Sequence, residues 1–142
     1  MSPVSLIFRR LIPYSSKSYL KQSQRSFWNF ISQGKNMGDI KKTIEARIAG
    51  KKVVIISKSY CPFCVKAKKV FQDEYLKPGL LKEDEYDVME IDNDPNCEEI
   101  QQLMSQMTGA RSVPRVFING NCIGGGDETV QLHSQGKLKA LL

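Results

Sequence analysis

One stretch constrains the fold of this chain more than any other: Lys52-Val53-Val54-Ile55-Ile56-Ser57, then three residues, then Cys61-Pro62-Phe63-Cys64. An unbroken β-branched run reads as a strand buried on both faces, as in the interior of an α/β sheet. Pro62 then opens a helix, because a proline in the first helical position gives up an N–H that has no partner there anyway. Val65, Val70 and Phe71 supply the expected inward stripe of that helix. Cys61 therefore stands at the mouth of a helix, with Cys64 one turn further in and on the same face.

The elements around this unit alternate. Asp39 is expected to cap a helix with Ile40, Ile44 and Ile48 on its apolar face, ended by Gly50. Tyr86 to Ile91 reads as a second strand, parallel to the first because a helix joins them. Asp94-Pro95 opens a helix carrying Ile100, Leu103, Met104 and Met107, stopped at Gly109. Asn119-Gly120 between Arg115-Val116-Phe117-Ile118 and Asn121-Cys122-Ile123 is a two-residue hairpin signal. A Gly124-Gly125-Gly126 loop leads into one closing helix from about Asp127.

Charge divides the chain in two. Residues 1–38 hold six of the 21 basic residues and none of the 15 acidic ones, so the remainder is formally neutral. A neutral body has no general attraction for phosphate backbones, and nucleic-acid binding loses its main support. The basic, Ser-rich, acid-free segment 1–38 has the composition of a mitochondrial transit peptide; a basic tail with no address is the plainer alternative. Removal is expected after Arg25, and Met37 offers an internal start for a leaderless cytosolic form. No apolar run approaches the roughly 20 residues that span a bilayer. The expected organisation is thus a leader over 1–38 and one domain over 39–142, in the mitochondrial matrix.

Cys-x-x-Cys between a strand and a helix reads as a redox motif. Unpaired N–H groups and the positive end of the helix dipole stabilise a thiolate at Cys61, and Lys58 adds a nearby positive charge. In this reading Cys61 attacks and Cys64 resolves. Zinc binding would need Cys97 and Cys122 as the second half of a site, yet they are far apart in the chain and form no second knuckle, so no metal is expected. Two structural cysteines without chemistry remain the bland alternative. Cysteine-hydrolase chemistry would need a base, and His133, the single histidine, suits a half-buried position on the last helix. Cys97 and Cys122 read as structural or incidental thiols, with regulatory oxidation open for Cys97.

Residues from about 40 onward resemble a dithiol glutaredoxin of mitochondrial type. The resemblance rests on Lys58-x-x-Cys61-Pro62-Phe63-Cys64, on Glu99-Ile100-Gln101 through Thr108-Gly109-Ala110-Arg111-Ser112-Val113-Pro114, and on Val116-Phe117-Ile118 with Ile123-Gly124-Gly125. It implies a thioredoxin-like three-layer α/β/α fold with a four-stranded mixed sheet behind a flexible N-terminal leader. It implies glutathione as co-substrate, with Tyr60, Phe63, Gln101 and Lys58 around the bound tripeptide and Lys58 and Gln101 on its glycine carboxylate. Pro114 is expected to be cis, letting the Val113 backbone pair with the tripeptide's cysteine; read alone, Pro114 could simply begin a strand. The γ-glutamyl end is expected at Gly125, Gly126, Asp127 and Glu128. There the chain departs from the family's Gly-Gly-x-Ser/Thr-Asp pattern, and Phe63 stands where many relatives carry Tyr.

The function implied is reduction of protein–glutathione mixed disulfides and of protein disulfides. Its partners would be glutathione, such proteins and the glutathione reductase system, served by a monomer that binds neither nucleic acid nor membrane. The alternative is a dimer holding an iron–sulfur cluster through Cys61 and two glutathiones, against which Pro62 argues, since relatives with that role carry Ser or Gly there. A docking role without turnover is a third option.

Overall fold

The computed structural model describes residues 36–142, so the expected leader, apart from 36–38, lies outside the described residues. Helix α1 (Met37–Gly50) buries Ile40, Ile44 and Ile48. It starts ahead of the expected cap: Asn36 is the N-cap, its Oδ1 accepting the Asp39 N–H at 2.9 Å, and Asp39 sits in the first turn. Either residue type caps well; the upstream one wins because it lets the helix begin at Met37, whose side chain packs against the core.

Strand β1 (Val53–Ser57) is buried at every residue. It pairs in parallel with β2 (Tyr86–Glu90) and antiparallel with β3 (Arg115–Ile118), which returns antiparallel to β4 (Asn121–Gly124). The sheet order is β2-β1-β3-β4, the mixed four-stranded sheet expected. Asn119 and Gly120, at φ 49° and 85°, turn the β3–β4 hairpin.

The alternating side chains of β1 divide the core. Val54 and Ile56 join α1 and α3 (Cys97–Thr108) through Ile44, Ile100, Leu103 and Met104. Val53 and Ile55 join α2 (Pro62–Phe71), its π-helical extension Gln72–Leu76 and the C-terminal helices through Ala67, Phe71, Tyr75 and Leu138. This is a three-layer α/β/α arrangement, and it explains why β1 needs apolar residues at consecutive positions.

Four more expectations change. The inward stripe of α2 is Cys64, Ala67 and Phe71, while Val65 is exposed and Val70 only half-buried. With Pro62 fixed as first residue, turning Cys64 into the core rotates Val65 outward. Met107 likewise faces solvent, and α3 begins at Cys97 because Asp94 instead holds a turn, accepting the Asn96 N–H at 2.8 Å. The closing segment is two helices, α4 (Gly126–Ser134) and α5 (Lys137–Leu141), broken at Gly136 with φ 70°.

Candidate active site

The C-terminal end of β1 delivers the chain into the turn Lys58-Ser59-Tyr60, closed by the Cys61 N–H on Lys58 O at 3.1 Å. Cys61 is the N-cap of α2, in extended backbone with Pro62 next. Its Sγ lies 3.8 Å from the carbonyl oxygen of Val113, whose bond to Pro114 is cis. Cys64 is fully buried, and the Lys58 N–H donates to its Sγ at 3.4 Å. All four cysteines are free thiols.

The two thiols are driven apart electrostatically. Partial burial is the largest single influence on Cys61 and pushes its thiol up. The Cys64 N–H, the Cys64 thiol, the Phe63 N–H and the Lys58 ammonium together outweigh it, leaving Cys61 below the ordinary thiol value. Cys64 goes the other way: burial holds its thiol up, and the Lys58 N–H on its sulfur does not compensate. A partly accessible thiol that ionises more readily, beside a buried one that ionises less readily, is the arrangement that thiol–disulfide exchange needs.

The other expected residues fall into groups around Cys61. Lys58 Nζ donates to Gln101 Oε1 at 3.1 Å, and Gln101 Nε2 donates to Arg111 O at 3.2 Å, tying the active-site turn to α3 and to the loop before Pro114. Tyr60 and Phe63 are exposed aromatic rings, 71% and 51% accessible, flanking the cysteine. Gly126 brings α4 so close that a Cβ there would lie 2.6 Å from Phe63 O. Asp127 reaches across to Lys66 at 3.0 Å, and Lys66 Nζ lies 5.9 Å from the centre of the Phe63 ring. Asp127's extra negative charge is thus paired. Glu128 turns back to accept the Gly125 N–H at 2.9 Å, acting as a cap on α4.

Lys66 and Asp92 escaped the sequence reading. Asp92 accepts Ser59 N–H at 3.2 Å and Ser59 Oγ–H at 2.6 Å, fixing the turn before Cys61 from the loop after β2. Its signal was an acid directly after a strand. Cys97 Sγ lies 3.8 Å from Gln101 Oε1, and half-buried Cys122 packs on the Ile56 side of the sheet. Half-buried His133 meets Tyr75 Oη at 2.9 Å, away from either thiol's hydrogen bonds.

The family model described as Glutaredoxin matches residues 53–123. The chain belongs to the glutaredoxin family. Among its relatives, Glutaredoxin-2, mitochondrial, of Rattus norvegicus is 37% identical over 134 residues, covering 94% of this chain and 77% of the relative. The crystal structure of oxidized glutaredoxin 2 from Chlamydomonas reinhardtii superposes with a TM-score of 0.66 at 40% identity, covering 76% of this chain and 94% of that one. The buckwheat glutaredoxin–glutathione complex gives 0.66 at 31% identity, over 75% of this chain and 89% of that one. The fold is therefore the thioredoxin-like fold of glutaredoxins, and the protein is a glutathione-dependent thiol–disulfide oxidoreductase with glutathione as co-substrate.

Proposed function

We propose that this glutaredoxin reduces protein–glutathione mixed disulfides through Cys61 alone and protein disulfides through Cys61 and Cys64 together. The observation that carries the reading is the contrast between the two sulfurs, one half-exposed and favoured as thiolate, the other buried and favoured as thiol.

In the one-cysteine route the Cys61 thiolate attacks the glutathione sulfur of the mixed disulfide. The protein thiolate leaves and takes up a proton, and Cys61 is left joined to glutathione. A second glutathione thiolate attacks the glutathione sulfur of that bond, releasing oxidised glutathione and regenerating the Cys61 thiolate. The second step is fast because a low-pKa thiol is a good leaving group. In the two-cysteine route the Cys61 thiolate first joins one sulfur of the protein disulfide and releases the other as a thiolate; Cys64 then gives up its proton and attacks the Cys61 sulfur, the substrate's second thiolate departs and takes up a proton, and two glutathiones reduce the Cys61–Cys64 disulfide, becoming oxidised glutathione.

Glutathione lies along the groove beside Cys61. Lys58 and Gln101 receive its glycine carboxylate, the Val113 backbone pairs with its cysteine, and the γ-glutamyl end rests on the first N–H groups of α4 near Gly126 and Asp127. The exposed rings of Tyr60 and Phe63 flank the bound tripeptide. Asp127 is the exposed acid at this end, since Glu128 is occupied with Gly125. Leader composition and the mitochondrial relative support a place in the mitochondrial matrix; there the protein works as a monomer, with glutathione reductase returning oxidised glutathione to the pool. Met37 would start a cytosolic form.

A coupled assay with glutathione, its reductase and a glutathionylated peptide tests the division of labour. Cys61→Ser abolishes turnover, whereas Cys64→Ser keeps peptide deglutathionylation and loses reduction of a protein disulfide. Turnover surviving in Cys61→Ser would sink the assignment.

A further inference from the structure

Lys66 and Asp127 stand 61 positions apart and on different helices, yet they meet beside the active site. Lys66 follows Phe63 by three residues on α2, so the two side chains share a face, and Lys66 Nζ lies 5.9 Å from the centre of the Phe63 ring. Asp127 is the second residue of α4. Gly126, just before it, lets the start of α4 press onto α2, since a Cβ there would lie 2.6 Å from Phe63 O. The outcome is a 3.0 Å ion pair with both partners exposed to solvent. Such a pair adds little to stability, and exchanging it for other partners costs little.

An α-amino-acid head group carries an ammonium and a carboxylate on one carbon. An exposed cation beside an exposed anion is its complement, and the γ-glutamyl end of glutathione is such a head group. We propose that Lys66 is a specificity-determining residue that reads it: on binding, the Lys66 ammonium exchanges the Asp127 carboxylate for the substrate's α-carboxylate, while Asp127 takes the substrate's α-ammonium. The inference rests on glutathione lying with its γ-glutamyl end at the start of α4. One exposed ion pair becomes two, and the first N–H groups of α4 still face the incoming carboxylate. Asp127 puts a negative charge at that helix end which the Ser or Thr of the family pattern lacks, and Lys66 is the cation placed to offset it. Glu128 does not compete for the ammonium, because its carboxylate is held on the Gly125 N–H at 2.9 Å. Lys66 therefore acts on binding, and the exchange at Cys61 proceeds as before.

The test is single-turnover release of a peptide thiol by the reduced full chain, which needs no free glutathione. The peptide is joined by a disulfide to glutathione, to 4-aminobutanoyl-cysteinylglycine, which lacks the α-carboxylate, or to glutaryl-cysteinylglycine, which lacks the α-ammonium. Lys66→Met keeps the reach of the side chain and removes its charge. It should raise the half-saturating concentration of the glutathione substrate about fivefold, with the limiting rate within about twofold of the parent. On the 4-aminobutanoyl substrate the same variant loses nothing, because the group Lys66 meets is gone. Asp127→Asn gives the mirror pattern, weaker on glutathione and no weaker on the glutaryl substrate. Lys66→Arg keeps the charge and the parental value. A loss in Lys66→Met that is equal on the glutathione and 4-aminobutanoyl substrates, or a change of less than about twofold on glutathione, would overturn the role of Lys66. A parent chain that takes all three substrates alike would instead overturn the γ-glutamyl placing beneath it.

Discussion

Replacing Gln101 by alanine probes the proposed glutathione seat beside Cys61. Gln101 joins Lys58 Nζ at 3.1 Å to Arg111 O at 3.2 Å, and both bonds go at once in Gln101→Ala. Neither is sealed from water, so the loss to folding is small, on the order of 0.5–1 kcal/mol. The loss to substrate is larger if Gln101 meets the glycine carboxylate, because a hydrogen bond to a charged group is worth about 1.5 kcal/mol or more. That corresponds to about tenfold in kcat/KM for a glutathionylated peptide, carried by KM with kcat nearly unchanged. Lys58→Ala costs at least as much in KM and also lowers kcat, because Lys58 favours the Cys61 thiolate. The two side chains touch, so the double variant loses less than the product of the single losses, by about 0.5 kcal/mol or more of coupling. The coupled glutathione reductase assay measures all four chains, with thermal melts confirming that they fold alike. An unchanged KM in Gln101→Ala, or single effects that simply multiply, would refute the shared carboxylate seat.

Other regions give independent checks. Gly109 ends α3 at φ 80°, and a Cβ there would meet nothing within 4 Å, so Gly109→Ala carries only the left-handed backbone penalty. It should lower stability by about 1–2 kcal/mol in denaturant unfolding, and Gly109→Asn by less. A chain beginning at Met37 keeps the helical residues of α1 but loses the Asn36 cap, and should unfold about 1 kcal/mol more easily than one retaining Asn36. The Ser59 N–H and hydroxyl hold the Asp92 carboxyl below its ordinary 3.8. A depressed folded-state pKa gives stability present above the unfolded value and lost as pH falls through the folded one. The stability gap between parent and Asp92→Ala should therefore stay level near neutrality and close in acid below pH 3.8; a gap that widens in acid contradicts the bond.

The sheet and thiol pair were legible because each rests on a local rule. Val53 to Ile56 had no polar face to offer solvent, Pro62 fixed a helix start, and Asn119-Gly120 fixed a hairpin. Facing was harder. The α2 stripe looked like Val65, Val70 and Phe71 because those residues are the more apolar, yet Cys64, Ala67 and Phe71 are inside. The phase is set by where β1 releases the chain, a tertiary fact no helical period contains. The single closing helix failed at Gln135-Gly136, where α4 gives way to α5.

Within the site, the resemblance brought forward Lys58, Gln101, Val113 and Pro114, and the fold sets Lys58 against Gln101 and Cys61 against Val113. It did not bring forward Asp92 or Lys66, whose partners are 33 and 61 positions away in the chain. Glu128 was equally opaque. Its spacing from Gly125 fits a cap as well as a ligand contact, and the folded chain uses it as the cap.

The most direct measurement is the pH dependence of Cys61 alkylation in the intact chain, followed at that residue by peptide mass spectrometry. The account predicts that half-maximal reactivity falls below the ordinary thiol value of 9.0, with Cys64 still unreactive where Cys61 has reached its plateau. Reactivity of Cys61 that rises only at or above that value, or a Cys64 that reacts first, would contradict it.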